Sequence, residues 1–309
     1  MGLTSGANPD LVKTELDRLF YSVFNRTVMP NMGDIDQNDI FKQDSAKNSA
    51  INTENMADAG TWDTKTELQN VPEGTPATET ARSFTVADYA QALYITKNFF
   101  DDEDWSAVAK MVEAMANKGF LTSRDNGFEL YRGAFATYTT NAGDNIFSNT
   151  HTNINGDTVD NLLTAALAPA ALSTAVAMLA EQVDQAGDIV GHDARVLLVP
   201  NRLYEDAVEI TESTLKADTT DNNMNVYSAK YNIHIKQSNR LSAAAGGSDT
   251  AYYLLADQHN ITRWKRQAIN TTMVDWKFDS KNRYVYKGDF REVYGCPSYE
   301  GLVGSTGLT

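Results

Sequence analysis

The chain has 309 residues, 42% of them hydrophobic, and a formal net charge of −15. That is enough apolar content for one large domain or two modest ones, and ordinary Gly and Pro numbers exclude wholesale disorder. The acidic balance argues against holding DNA by neutralising its phosphates, though not against enclosing it; no apolar run reaches the roughly 18 residues of a membrane span, and the single cysteine, Cys296, excludes an internal disulfide framework or a cysteine-rich zinc site.

In chain order, Met1–Gly6 lacks the charged and apolar regions of a secretory signal, so a soluble protein made in the cytosol is expected. Residues 1–9 read as a loose tail. Asp10 is the candidate cap of a helix whose apolar stripe, Leu16, Leu19, Phe20, Val23 and Phe24, needs a surface to cover it. Residues 27–60 are polar and aperiodic, an extended arm. Residues 61–93 read as a long hairpin, with Thr61–Thr64 on one side, turn chemistry at Val71-Pro72-Glu73-Gly74-Thr75-Pro76, and β-type alternation resuming over Phe84–Tyr89. An isolated two-stranded ribbon is marginal in water, so this hairpin is expected to lie on another surface.

The acidic run Asp101, Asp102, Glu103, Asp104 suits the positive end of a helix dipole. Paired carboxylates there could hold a divalent cation, but the helix-start reading is favoured. Trp105, Val108, Val112 and Met115 then follow at helical spacing, and the pattern continues through Phe128, Tyr131 and Phe135 to about Tyr138. Gly119 and Gly127 are expected to bend or interrupt it. Two more helices are predicted over 157–165 and 169–186, the second with Pro169 at its first position and Leu172, Val176, Leu179 and Val183 in register. Arg195–Val199 is a strand buried on both faces, and Leu203, Ala207 and Ile210 place a helix after it, locally an α/β pattern. A polar loop over 218–223, a strand through 231–235, a flexible loop at Ala243–Ser248 and a strand over 251–256 come next. The aromatic remainder reads as antiparallel strands.

The search for catalytic chemistry returns little. His151, His192, His234 and His259 are isolated, without metal-ligand spacing; His151 reads as a turn anchor and His192 as part of a hydrogen-bonded turn. There is no Gly-x-Ser-x-Gly elbow and no phosphate-binding glycine loop. Cys296 has no neighbouring base in sequence and reads as a buried structural thiol. No catalytic, cofactor or metal site is expected. Between His259 and Tyr294 the chain carries eight basic residues against four acidic ones, which suits contact with acidic surface on neighbouring copies as well as it suits a plain solvated sheet face. The residues singled out therefore act in assembly: Glu67, Glu73, Glu79 and Arg82 on the hairpin, and Asp101, Asp102 and Asp104 against Arg263, Arg266 or Arg291 of another copy.

Three stretches carry a family resemblance: Asn145-Ile146-Phe147-Ser148-Asn149-Thr150-His151 after the long helix, Arg195–Pro200 leading into the Leu203–Glu212 helix, and the ending from Val274-Asp275-Trp276 through Tyr284 to Tyr294-Gly295. With the order of parts, they make the chain resemble the major capsid protein of tailed bacteriophages, more narrowly the major head subunit of Mu-like phages and prophages, with the Hong Kong 97-type capsid fold. The resemblance implies an α+β fold with an N-terminal arm (1–60), an extended β-hairpin loop (61–93), a peripheral domain with a long spine helix (94–155 plus 257–309) and an α/β axial domain (156–256). It further implies hexamers and pentamers of the chain closing an icosahedral shell around double-stranded DNA, bound without sequence specificity. The partners implied are other copies, scaffold and protease, portal and decoration proteins, with no membrane, no cofactor and a place in the virion. The Ala243–Ser248 loop would lie near the ring axis. No long scaffolding segment precedes the arm, so scaffolding is expected from a separate or already cleaved segment. Covalent cross-linking is not expected, since Lys65 alone qualifies on the hairpin. The alternatives are an encapsulin-type compartment with the same fold and a soluble α/β enzyme built around His192 or His151.

Overall fold

A computed structural model describes residues 9–26, 32–57, 64–71, 76–78, 81–98, 105–213, 225–229, 231–275, 278 and 281–308. Its central element is helix α2 (Trp105–Arg132), which runs 28 residues, about 42 Å at 1.5 Å per residue. Around it lie helix α1 (Pro9–Phe24), strands β1 (Lys42–Ser45), β2 (Ala50–Thr53), β3 (Arg82–Thr85) and β4 (Ala87–Thr96), and the small strands β5 (His151–Thr152), β6 (Thr158–Val159) and β7 (Leu162–Leu163). Helix α3 (Pro169–Ala180), β8 (Ala194–Val199), α4 (Tyr204–Glu212), β9 (His234–Gln237) and β10 (Tyr252–Ala256) follow. The chain closes with β11 (Thr262–Val274), β12 (Arg283–Gly295) and β13 (Leu302–Ser305).

Two larger sheets result. One has strand order β1-β11-β12-β4, with the long β11 and β12 antiparallel; the other has order β7-β13-β10-β8-β9. The second explains why residues 194–199 read as an unbroken apolar run. Val196 and Leu198, with Tyr253 and Leu255, face the C-terminal half of α2 (Phe128, Leu130, Tyr131). On the opposite face, Leu197 and Val199, with Tyr252 and Leu254, face Leu172, Val176 and Leu179 of α3 and Ala207 and Ile210 of α4. Each fully buried large side chain contributes roughly 1.5–3 kcal/mol of apolar transfer.

The N-terminal half of α2 serves a different core. Val108, Val112 and Met115 meet Val12, Leu16 and Phe20 of α1 and Ile95, Tyr284 and Tyr286 of the first sheet. The arm helix is thus covered by its own chain. Its Asp17 also accepts hydrogen bonds from Thr271 Oγ1 (2.7 Å) and the Tyr286 hydroxyl (2.8 Å). Asp10 lies inside the first turn of this helix, one residue past its start at Pro9. The polar arm also packs more closely than its composition suggests: Ile35, Ile40 and Phe41 are buried beside Phe128 and Tyr131, and the Tyr131 hydroxyl donates to the Ile40 carbonyl.

Several expectations are corrected. Gly119 and Gly127 do not interrupt α2. They are places of close approach: a Cβ on Gly127 would stand 2.6 Å from Ile35 Cγ2 and 2.9 Å from Tyr294 Cε1, one on Gly119 3.3 Å from Phe24. The helix ends at Arg132 and not at Tyr138, because Tyr138 folds back over Gly133 and the Gly133 carbonyl accepts from the Thr137 and Tyr138 amides. Residues 157–165 are not helical; Thr158–Val159 pairs with His151–Thr152 and Leu162–Leu163 joins β13. The α3 helix stops at Ala180, six residues early, and Val183 instead bridges Ile189 across a turn built on Gly187 (φ +89°). The outgoing strand that pairs with Arg82–Thr85 is Ala50–Thr53, earlier than Thr61–Thr64, of which Thr61–Asp63 fall outside the described residues. The strand expected over 231–235 runs His234–Gln237. Ala243–Ser248 is a compact turn and not a free tip: Ala243 N–H donates to Asp249, Ser248 N–H to the Leu241 carbonyl, and Gly247 abuts Arg132 at the end of α2. The polar loop at 218–223 lies outside the described residues.

Gly127→Ala is expected to lower stability by about 1–3 kcal/mol, through overpacking against Ile35 and Tyr294. Gly119→Ala should stay within about 1 kcal/mol of the parent, since helix propensity offsets a small shift of Phe24. Thermal unfolding of the two variants checks this; equal melting temperatures would contradict the close-approach reading.

Candidate assembly surfaces

The extended loop leaves the body through a pair of short strands, β2 and β3, and its base is held from several sides. The Arg82 guanidinium donates to the Thr139 carbonyl and, at 2.8 Å, to that of Thr140, and lies over the Phe84 ring. Phe84 stacks on Trp264 with centroids 5.2 Å apart, in a notch that exists because residue 295 is glycine: a Cβ there would collide with the ring. Thr53 Oγ1 bonds Asn141 Oδ1 (3.0 Å), and Asn55 Nδ2 donates to the Pro297 carbonyl (3.1 Å). Arg82 is therefore a residue of the loop's base, while Glu67 is exposed farther along the loop. Beside Glu67, Leu68 is 100% exposed at φ +67°, and Val71 and Met56 are also exposed. A non-glycine residue at positive φ with its whole apolar side chain in water is uncommon in a monomer.

A second anchor joins the arm, α2 and the first sheet. Arg263 donates from Nε and Nη2 to Glu292 Oε2 (2.9 and 2.7 Å) and from Nη1 to Asp36 Oδ1 (2.6 Å), while Ser123 Oγ donates to Glu292 Oε1 (2.7 Å). Burial alone would push the Asp36 carboxyl up, but the Lys265 hydrogen bond and the Arg263 charge outweigh it and hold it below the usual range. Asp34 and Arg124 form a second buried pair at 3.0 Å. Apart from Arg263–Glu292, 29 positions apart, these contacts link residues 90 or more positions apart, and nothing in the sequence pattern marks them.

Arg263 is thus committed within its own chain. Arg291 is half-buried, 3.6 Å from Asp88 across the β12–β4 register. Arg266 is half-buried on β11. Glu73, Glu79, Asp101, Asp102 and Asp104 lie outside the described residues. Of the ten singled-out residues, the described ones divide between the extended loop (Glu67, Arg82) and the β11–β12 pair of the first sheet (Arg263, Arg266, Arg291).

Three of the four histidines, His151, His192 and His259, are buried in the fold, and His234 is exposed on β9. His151 is fully buried, its Nε2 3.2 Å from the Ile146 carbonyl and 3.1 Å from Asn161 Oδ1, with its ring stacked on Tyr299; burial lowers its pKa. Burial also lowers that of His192. His259 Nε2 donates to the Asp39 carbonyl and its Nδ1 accepts from the Ile261 amide. Cys296 is buried, donates to the Ser298 carbonyl, and has its pKa pushed up by burial. No group of three or more His, Cys, Asp or Glu that could hold a metal gathers among the described residues. No described helix is long and apolar enough to cross a membrane.

A family model for phage capsid proteins matches residues 79–303. The chain belongs to that family. The same α+β fold appears in solved structures. The capsid asymmetric unit of cyanophage Pam1 matches with TM-score 0.55 and 14% identity over 91% of this chain and 95% of that one. The mature capsid of bacteriophage PhiM1 matches with TM-score 0.56 and 11% identity over 99% and 91%. A virus-like particle from Pyrococcus furiosus matches with TM-score 0.51 and 8% identity over 94% and 98%. No curated protein sequence matches. The chain is a structural capsid protein, a component of the virion whose partners are copies of itself in the capsid lattice.

One of the buried histidines of this capsid protein, His259, gives a pH prediction. Burial, helped by the nearby Lys42 charge and opposed in part by Asp257, lowers the pKa of His259 to about 4. The unfolded chain, at about 6.5, takes up its proton first, so the contribution is complete above pH 6.5 and is lost as pH falls toward 4. Between pH 7 and pH 5 the parent should lose about 2 kcal/mol more than His259→Gln, measured by urea unfolding. An identical loss in both proteins would contradict this.

Proposed function

We propose that this chain is the major capsid subunit that assembles through hexamers and pentamers into a closed icosahedral head enclosing double-stranded DNA. The observation that carries the reading is the extended loop: its base is fixed to the body by Arg82, Phe84 and Asn141, while Leu68, Val71 and Met56 beyond it are left in water. An element held that firmly at one end and uncovered at the other suits a heterologous contact, in which each copy reaches onto the next and the chain of contacts closes into a ring. The net charge of −15 fits a container that surrounds DNA without gripping it.

Within the family, the three stretches quoted above support a place among the Mu-like head subunits. In the fold, Ile146, Phe147 and His151 are buried and Arg195–Val199 lies within β8, between β10 and β9. Scaffold, protease, portal and decoration proteins are the further partners such a head uses, with the subunit made in the host cytoplasm before assembly. No catalytic role is proposed. Neither His151 nor His192 lines the clefts beside β4, beside β9 or at the Arg263–Glu292 pair. The virus-like particle likeness is one of fold alone, so the family match favours a phage head over an encapsulin-type compartment.

Electron microscopy of the purified protein, alone and with the proteins encoded beside it, tests the reading. Closed shells tens of nanometres across are expected. Compact monomers or dimers under both conditions would overturn it.

A further inference from the structure

Asparagine followed by glycine occurs twice in the chain, at Asn126-Gly127 and Asn155-Gly156. The pair has a chemistry of its own. The backbone nitrogen of the second residue can reach the asparagine Cγ and close a five-membered ring, and only glycine puts no side chain in the way. The fold treats the two pairs in opposite ways. Asn126-Gly127 lies inside α2, where helical dihedrals hold nitrogen and side chain apart and Gly127 is buried against Ile35 and Tyr294. Asn155 and Gly156 are both exposed in the loop joining β5 to β6, and nothing lies within 4 Å of where a Gly156 Cβ would stand. The Gly156 N–H is held by one turn bond, to the Asn153 carbonyl (3.0 Å).

That loop has a twin. Residues 153–157 and 184–188 are built alike. In each, the first amide donates to the fifth carbonyl (3.0 and 2.9 Å), and the fourth residue is a glycine at positive φ whose N–H donates to the first carbonyl. The first side chain, Asn153 or Asp184, accepts from the fifth amide (2.7 and 2.9 Å). The two loops meet through their third residues, Asn155 Nδ2 donating to the Ala186 carbonyl, and a Cβ on Gly187 would stand 3.1 Å from Asp157 Oδ2. This contact ties the β5–β6 hairpin to the segment between α3 and β8. The charges the two loops carry are of one sign: Asp157, Asp184 and Asp188.

We propose that Asn155 is a site of spontaneous modification, whose conversion to a carboxylate unfastens these two loops. The Gly156 nitrogen, its proton taken by solvent hydroxide, attacks Asn155 Cγ. The new C–N bond closes the ring as the Cγ–Nδ2 bond breaks, and Nδ2 leaves as ammonia. Water then opens the ring at either carbonyl, leaving an aspartate or an isoaspartate linkage, so that water is consumed and ammonia released with no redox change. A side chain that donated to Ala186 becomes one that only accepts, facing that carbonyl and set among like charges. The same reaction at Asn126 requires α2 to open first.

Peptide mapping by mass spectrometry of full-length protein aged in mildly alkaline buffer, with thermal unfolding of the same samples, tests this. Asn155 is expected to convert about 10-fold or more faster than Asn126, giving both aspartate and isoaspartate products. The melting temperature of the aged parent should fall by about 2–4 °C, toward that of fresh Asn155→Asp. Asn155→Gln, whose longer side chain does not close the five-membered ring, should hold its own melting temperature through ageing. Equal rates at the two asparagines, or an intact Asn155 after Asn126 has converted, overturns the site. Conversion at Asn155 with unchanged melting, or an Asn155→Gln protein that drifts as the parent does, overturns the loss of the loop contact. None of these readouts depends on shell formation.

Discussion

The fold depends on one helix serving two cores at once. Over its first half α2 is the floor on which α1 and the long antiparallel strands close, through Val108, Val112 and Met115; over its second half it backs the five-stranded sheet, through Phe128 and Tyr131. Such a helix cannot present a single polar face to water along its whole length, and it needs small residues where neighbours press closest. Gly127, against Ile35 and Tyr294, and Gly119, against Phe24, provide them. The helix-propensity cost of two glycines, about 1 kcal/mol each, is small beside the apolar area their absence of side chain brings together.

From that helix outward, the chain closes on itself almost everywhere. The arm helix is covered in cis, the polar arm is pinned by Ile35, Ile40 and Phe41, and the buried pairs Arg263–Glu292 and Arg124–Asp34 join sheet, helix and arm. Removing one partner of such a pair strands the other charge out of water, which typically costs 3–5 kcal/mol, so the arm is part of the subunit's stable body. Among the described residues the extended loop carries the most exposed apolar side chain, Leu68, with Val71 and Met56 also in water, and its chain leaves the body at Thr53 and returns through Arg82 into β4. A folded body with such a projecting element is suited to ordered, heterologous assembly.

Much of this was legible in the sequence, and the misses have physical causes. The period-3.6 stripes of α1, α2 and α3 and the apolar run of β8 were readable because the period, or the unbroken run, shows in the sequence whichever neighbours it meets. The glycines in α2 were misread as breaks because a glycine's penalty is visible in sequence whereas the neighbour it admits is not. Residues 157–165 were misread as helix because Val159, Leu162 and Leu163 suit either structure, and the Asn161 side chain, which binds Ser148 and Ile146, decides the matter through contacts the sequence does not display. Arg263 was read as a group for another copy because its partners, Asp36 and Glu292, lie 227 and 29 residues away. Arg82 was read as a hairpin group for a neighbouring copy, and its carbonyl partners at 139 and 140 of its own chain could not be named in advance.

The account's central claim is that the extended loop joins subunits and is dispensable for folding them. Thr53 and Arg82 face each other in the β2–β3 pair, so residues 54–81 can be replaced by an Asn-Gly turn that closes the hairpin directly. Sedimentation velocity of this variant, together with its thermal unfolding, is the direct measurement. The account predicts a folded subunit with the parent's melting transition that sediments as monomer under conditions where the parent forms shells. Shells of normal size from the loopless chain would contradict it.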